Sequence, residues 1–111
     1  MVTSIGSNKI RTAVFISGTG SNLKSLIKFS KLKISPISIN IIISNNARAK
    51  GLRLGKIYKI NSKIFSFKKK SLAEKKMIFE LKKNKINLIC LAGFMKILSK
   101  NFIKNFEGKI L

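Results

Sequence analysis

The sequence predicts an α/β domain, a mainly parallel sheet with helices on both of its faces. Three observations predict it. Short β-branched runs alternate along the chain with longer runs whose apolar residues recur at helical spacing. Strand-length runs such as Ala13-Val14-Phe15-Ile16 are apolar at consecutive positions, which suits strands covered from above and below. A Gly-x-Gly turn then separates the first strand from the first helix, where doubly wound folds place a tight passage.

Residues 1–10 lack a continuous apolar run and read as a poorly ordered tail, which leaves 11–111 as one domain. Thr12-Ala13-Val14-Phe15-Ile16 is a central strand that stops at Gly18-Thr19-Gly20. From Ser21 to Ser30 a helix turns Leu23, Leu26 and Ile27 inward and Lys24 and Lys28 outward. Pro36 punctuates, and 37–43 form a second strand from β-branched residues. Ser44-Asn45-Asn46 turns the chain and caps a short helix over 47–54, ended by Gly55. A weak third strand covers 57–60.

Ser71, with Glu74 three residues on, has the arrangement of a capping box, and Ala73, Met77 and Leu81 form the buried stripe of the helix behind it. Residues 87–92 make a further, fully buried strand. Ser99 caps a last helix that carries Phe102, Ile103 and Phe106 and closes at Gly108, and Lys109-Ile110-Leu111 begins one more strand. In such sheets ligands bind beyond the carboxyl ends of the strands, at the point where strand order reverses.

Composition narrows the chemistry. The sequence has no His, Asp or Trp, and its carboxylates are Glu74, Glu80 and Glu107 alone. That excludes a Ser-His-Asp triad, a histidine general base and a His-ligated zinc, and three carboxylates weigh against a carboxylate-rich metal site. No metal is expected. Cys90, a single cysteine between Ile89 and Leu91, fits a reducing compartment and reads as core filler rather than nucleophile. The longest apolar runs are of strand length, so no membrane partner is expected and the reading is of a cytoplasmic protein.

The formal net charge is +21, yet Lys outnumbers Arg by 21 to 3, and Lys, Ile and Asn together supply 50 of the 111 residues. All three have A/T-rich codons. A dedicated nucleic-acid binder favours Arg and concentrates its charge on one face. Here the lysines are scattered, so no specific nucleic-acid partner is expected. A basic nucleic-acid-binding protein stays as the lesser alternative, distinguished by steeply salt-dependent affinity.

Within Ile16-Ser17-Gly18-Thr19-Gly20-Ser21-Asn22-Leu23, the glycines let the backbone turn and approach a ligand, and Ser21 and Asn22 open a helix. Free N–H groups at a helix N-terminus favour a phosphate. The alternatives are a tight turn that binds nothing and a phosphate-ligand or NADP-binding module without catalysis. Against a dinucleotide site, Leu23 replaces the third glycine of the fingerprint, and Ser44-Asn45-Asn46 lacks the acid expected after the second strand. Arg48 keeps an NADP version open.

Three blocks carry a family resemblance: Ile16 to Leu23; Ser44-Asn45 with Gly51-Leu52; and Leu91-Ala92-Gly93-Phe94-Met95-Lys96-Ile97-Leu98-Ser99. In order and spacing they resemble the phosphoribosylglycinamide formyltransferases of purine biosynthesis. The resemblance implies a Rossmann-like formyltransferase fold, cut after about five strands. It implies glycinamide ribonucleotide as substrate, its phosphate held at Gly20, Ser21 and Asn22. It implies 10-formyltetrahydrofolate as cosubstrate, its pocket lined by Met95, Lys96, Ile97 and Leu98. Lys70 matches a basic folate-binding position that is usually Arg, and supplies charge without the bidentate fork.

The same resemblance puts the catalytic Asn, His and Asp beyond Leu111. No catalytic residue is therefore expected within the chain, which reads as the N-terminal half of such an enzyme and is inactive alone. A split enzyme would make the missing C-terminal half its partner.

Overall fold

A computed structural model describes residues 9–111. Most of the tail expected over 1–10 lies outside the described residues. The sheet has five parallel strands in the order β3-β2-β1-β4-β5. Strand β1 (Ile10–Ile16) is central, with β2 (Ile37–Ser44) and β3 (Asn61–Ile64) on one side and β4 (Leu88–Leu91) and β5 (Lys109–Ile110) on the other. Ile10, read from the sequence as tail, opens β1: it pairs with Ile37, and its N–H donates to Pro36 O at 2.8 Å.

Both faces are covered. One carries α1 (Ser21–Ser30) and α2 (Arg53–Ile57) over Val14, Ile16, Leu23, Ile27 and Ile42. The other carries α3 (Lys70–Lys83) and α4 (Lys100–Asn105) over Phe15, Ile41, Ile43, Met77, Leu81 and Phe102. Alternate residues of β1 feed the two layers, and Ala13, Val14, Phe15 and Ile16 are fully buried. The α/β reading of the sequence, with helices on both faces, matches this architecture.

Several elements differ from expectation for identifiable reasons. The third strand is Asn61–Ile64 and not 57–60, because Ile57 ends α2 and the chain turns at Lys59, which has a positive φ of 57°. All four β3 residues are exposed at a sheet edge, so no apolar pattern marks them. Helical structure after β2 starts only with the 3-10 turn Lys50–Leu52, since Asn46 Oδ1 accepts the Arg48 N–H (3.0 Å) in a local turn. Gly55 lies inside α2, where its carbonyl accepts the Ile60 N–H at 2.8 Å. Strand β4 is not fully buried: Leu91, at its carboxyl end, is exposed, although its N–H donates to Leu111 O at 2.8 Å.

Ser71 does not cap α3. A 3-10 turn, Phe67–Lys69, runs into that helix, and Ser66 accepts the Lys68 N–H (3.3 Å) at its start. Glu74 serves a different helix. Buried beneath α4, its carboxylate accepts the Ser99 N–H at 2.8 Å and the Ser99 hydroxyl at 2.6 Å. Ser99 Oγ in turn accepts the Phe102 N–H (3.0 Å), the expected cap of α4. α4 ends at Asn105, short of Gly108, because Phe106 turns extended with ψ 121°.

Charge-assisted hydrogen bonds contribute roughly 1.5–3 kcal/mol, and losing one leaves buried donors unpaired. Replacing Glu74 by Ala should therefore destabilise the fold by about 2 kcal/mol, read as a lowered urea midpoint with an unchanged slope. The end of α3 offers the opposite change. Ile86 N–H reaches Leu81 O (2.9 Å) and Lys85 N–H reaches Lys82 O (3.0 Å), a Schellman closure with lysine at the left-handed position, φ 55°. Lys85→Gly should stabilise by about 0.5–1 kcal/mol, and a fall in the melting temperature would contradict this account.

Candidate functional site

Strand order reverses at β1, so the chain leaves β1 and β4 in diverging directions and opens a crevice at their carboxyl ends. Residue 17 stands at its mouth. Half-buried Ser17 donates its hydroxyl to Asn45 Oδ1 beyond β2, and Ser17 Oγ accepts the Met95 N–H (2.8 Å) beyond β4. The Asn46 side-chain amide donates to Ser17 O at 3.4 Å. One residue thus joins the loops of three neighbouring strands.

Gly20 follows, with φ 79° at the N-cap of α1. A side chain there would be strained twice: by the left-handed backbone, and by Gly51 Cα, which would lie 2.6 Å from an added Cβ. Gly51 is confined in return, because a Cβ on it would meet Ile16 Cδ1 at 2.7 Å and Gly20 Cα at 2.9 Å. Its N–H donates to Gly18 O (3.0 Å), so backbone lies on backbone. Gly18 itself has no such constraint, since nothing lies within 4 Å of an added Cβ. The first turn of α1 has no side-chain cap and no acidic residue, and Ser21 and Asn22 are exposed. The positive dipole end is thus left without a side-chain cap beside exposed Ser21 and Asn22, an arrangement that favours an anion.

The loop after β4 turns at Gly93, φ 76°, and is pinned by Phe94. That ring meets Phe15 edge-on at 5.3 Å and Phe67 at 5.8 Å. Anchored so, the loop holds Met95 and Ile97 outward, 79% and 81% exposed, while Leu98 packs on the core. Met95, Lys96, Ser17, Asn45, Phe67 and Lys68 are among the residues lining a cleft of about 530 Å³. The structure therefore brings Met95 and Lys96 together at the crevice, with Gly20, Ser21 and Asn22 on the adjoining β1–α1 turn.

Lys70 sits elsewhere. It lines a groove of about 500 Å³ between α3 and α4 with Ser71, Glu74, Lys75 and Ser99, whereas Lys68 occupies the cleft. Cys90 packs with the α1 layer, and burial pushes its thiol up, away from the thiolate a nucleophile needs. Sequence reasoning missed Ser17 as a junction and Gly51 as the partner of Gly20. The available signal was that both lie in the matched blocks.

Fold and site together define a doubly wound α/β domain with a crevice at a strand-order reversal. The chain belongs to the formyl transferase family, whose profile matches residues 10–111. It is 40% identical over 110 residues to the trifunctional purine biosynthetic protein adenosine-3 of Gallus gallus, covering 96% of this chain and 11% of that protein. It is 36% identical over 104 residues to the phosphoribosylglycinamide formyltransferase of Haemophilus influenzae, covering 91% of this chain and 49% of that one. The crystal structure of phosphoribosylglycinamide formyltransferase from Brucella melitensis superposes with a TM-score of 0.87 at 35% identity, over 92% of this chain and 55% of that one. The chain thus spans about half the length of the single-enzyme relatives it matches and about a tenth of the trifunctional one. The resemblance carried by the three sequence blocks is borne out.

The glycine contact makes a direct prediction. Gly51→Ala forces a methyl group against the Gly20 backbone and should destabilise by about 1–3 kcal/mol, while Gly18→Ala should be close to neutral. Paired urea titrations measure both, and equal losses would show that the contact is not what restricts residue 51.

Proposed function

We propose that this chain supplies the substrate-binding half of a formyl transfer from 10-formyltetrahydrofolate to glycinamide ribonucleotide, a step of de novo purine (IMP) synthesis in the cytoplasm. One observation carries the reading. The uncapped N-terminus of α1, set by Gly20, follows closely on Ser17, whose Oγ accepts the Met95 N–H at the strand-order reversal. Relatives named phosphoribosylglycinamide formyltransferase support the assignment of ligands.

In this reading the phosphate of the ribonucleotide sits on the N–H groups of α1, with Ser21 and Asn22 adding polar contacts. Met95 and Ile97, apolar and solvent-facing, cover the flat ring system of the folate, with Leu98 beneath as support. Lys96 attracts the anionic end of the folate. Lys70, in the neighbouring groove, acts on its carboxylates from further out.

The substrate's primary amine attacks the formyl carbon, forming a C–N bond and a tetrahedral intermediate. Collapse breaks the bond to the folate nitrogen, and a proton passes from the attacking amine to the departing tetrahydrofolate. That transfer needs an acid–base group near the operating pH. Both oxygens of Glu74 are engaged by Ser99, and the sequence has neither His nor Asp. The reading therefore assigns proton transfer to a C-terminal half acting as partner. Among the described residues no cluster of His, Cys, Asp or Glu could hold a metal, and no metal enters the reaction as proposed.

Amide chemical-shift mapping of the 111-residue chain with glycinamide ribonucleotide should move Gly20, Ser21 and Asn22, and Gly20→Val should abolish the response. Tetrahydrofolate release by the chain alone should stay at background, a deficit that includes at least the roughly 10²- to 10⁴-fold from acid–base catalysis. Adding the C-terminal half of a relative should restore it. Shifts centred elsewhere, or turnover by the chain alone, would sink the proposal.

A further inference from the structure

We infer that Ser17 is a positioning residue that makes the phosphate loop and the 95–98 segment one mechanical unit, so that occupancy of the first organises the second. The inference rests on the substrate reading above and goes beyond it, because Ser17 has no ligand-binding role there.

The side chain of Ser17 has one proton and one oxygen, and both are committed to neighbouring loops. The hydroxyl proton goes to Asn45 Oδ1, which leaves the oxygen lone pairs free to accept the Met95 N–H at 2.8 Å. The donated bond fixes the rotamer that presents the oxygen to Met95. Its backbone carbonyl takes a third bond, from the Asn46 side chain. Two residues, Gly18 and Thr19, separate Ser17 from the N-cap Gly20, and Gly18 O in that interval accepts the Gly51 N–H. A ligand anion that draws the first turn of α1 toward itself thus pulls on a short, hydrogen-bonded span whose other end holds Met95.

The Met95 end has little else to hold it. The side chain of Met95 is 79% exposed, and beyond the Ser17 bond the segment is fixed by Phe94 before it and Leu98 after it. Met95 N–H is therefore the point where the coupling can be read. Alanine at position 17 removes both side-chain bonds and leaves the Gly20–Gly51 contact and the N-terminus of α1 in place. Threonine keeps a hydroxyl.

The test measures Met95 amide exchange and chemical shift in the 111-residue chain, with and without glycinamide ribonucleotide, for the unsubstituted, Ser17→Ala and Ser17→Thr forms. The unsubstituted chain should show a protected Met95 amide that shifts when the ligand binds at Gly20, Ser21 and Asn22. In Ser17→Ala that amide should exchange about five-fold faster, the value of one modest hydrogen bond. Ligand should still shift residues 20–22 but no longer shift Met95, and Ser17→Thr should regain both behaviours. Exchange at Met95 unchanged by Ser17→Ala, or a ligand response at Met95 that survives it, overturns the inference. No ligand response anywhere in the unsubstituted chain instead overturns the substrate reading, and the coupling with it.

Discussion

Everything at the site takes its position from β1, a strand covered on both faces and paired along both edges. Ala13, Val14, Phe15 and Ile16 are wholly buried, and β2 and β4 run parallel to them on either side. A parallel strand cannot be joined to its neighbour by a tight hairpin, so each connection must cross over a face. With β2 and β3 laid to one side and β4 and β5 to the other, the crossovers part above β1. A crevice at that point is a consequence of the pairing order. What the sequence adds locally is the means to line it: a turn small enough to end on a helix N-terminus, and a second loop bonded back to it.

The close contact of Gly20 with Gly51 shows how narrow the margin is. Two backbones meet where neither residue has room for a Cβ, which brings the segment after β2 against the first turn of α1. On the opposite layer the same task falls to a carboxylate. Glu74 reaches from α3 to the N-cap of α4 and satisfies Ser99 twice, so the short α4 is held by a buried polar contact besides Phe102. The layers are thus fixed near the site by different devices, one steric and one electrostatic.

The core strands and α1 were legible in the sequence because burial imposes a pattern that hydrophobicity records. Residues 21–30 were placed without error for that reason, and β2 extended only from Ile43 to Ser44. β3 was not legible, because Asn61, Ser62, Lys63 and Ile64 form an exposed edge whose pairing is entirely backbone. Helix boundaries near Ser71 and Asn46 shifted because small polar residues bond locally in more than one way, and spacing alone does not choose between them. At the site, Gly20 was legible from its motif. The junction at Ser17 was not, since residues 17, 45 and 95 come together only through the strand order. Glu74 was read as the capping-box partner of Ser71 in its own helix, whereas its carboxylate bonds Ser99, 25 residues further on, at the N-cap of α4.

The excess of lysine then acquires a role without being a binding motif. Scattered over helix faces and loops, the charges set a positive field over the whole surface, and a field of that sign enriches anions in any concave site. The cleft beside Ser17 is bordered by Lys68 and Lys96, and the first turn of α1 adds its own positive end. Both proposed ligands are anionic. A composition that A/T-rich codons suffice to explain would therefore still hasten capture of a phosphorylated substrate and a carboxylated folate, while the proposed function assigns selectivity to Gly20, the N–H groups of α1 and the loop that Ser17 holds. Acids are scarce by contrast. With only three carboxylates in the chain, one is buried against Ser99 and so contributes architecture rather than proton transfer. Substrate attraction and acid–base chemistry are in this way divided: the chain is well supplied for the first, and the proposed function places the second on a partner.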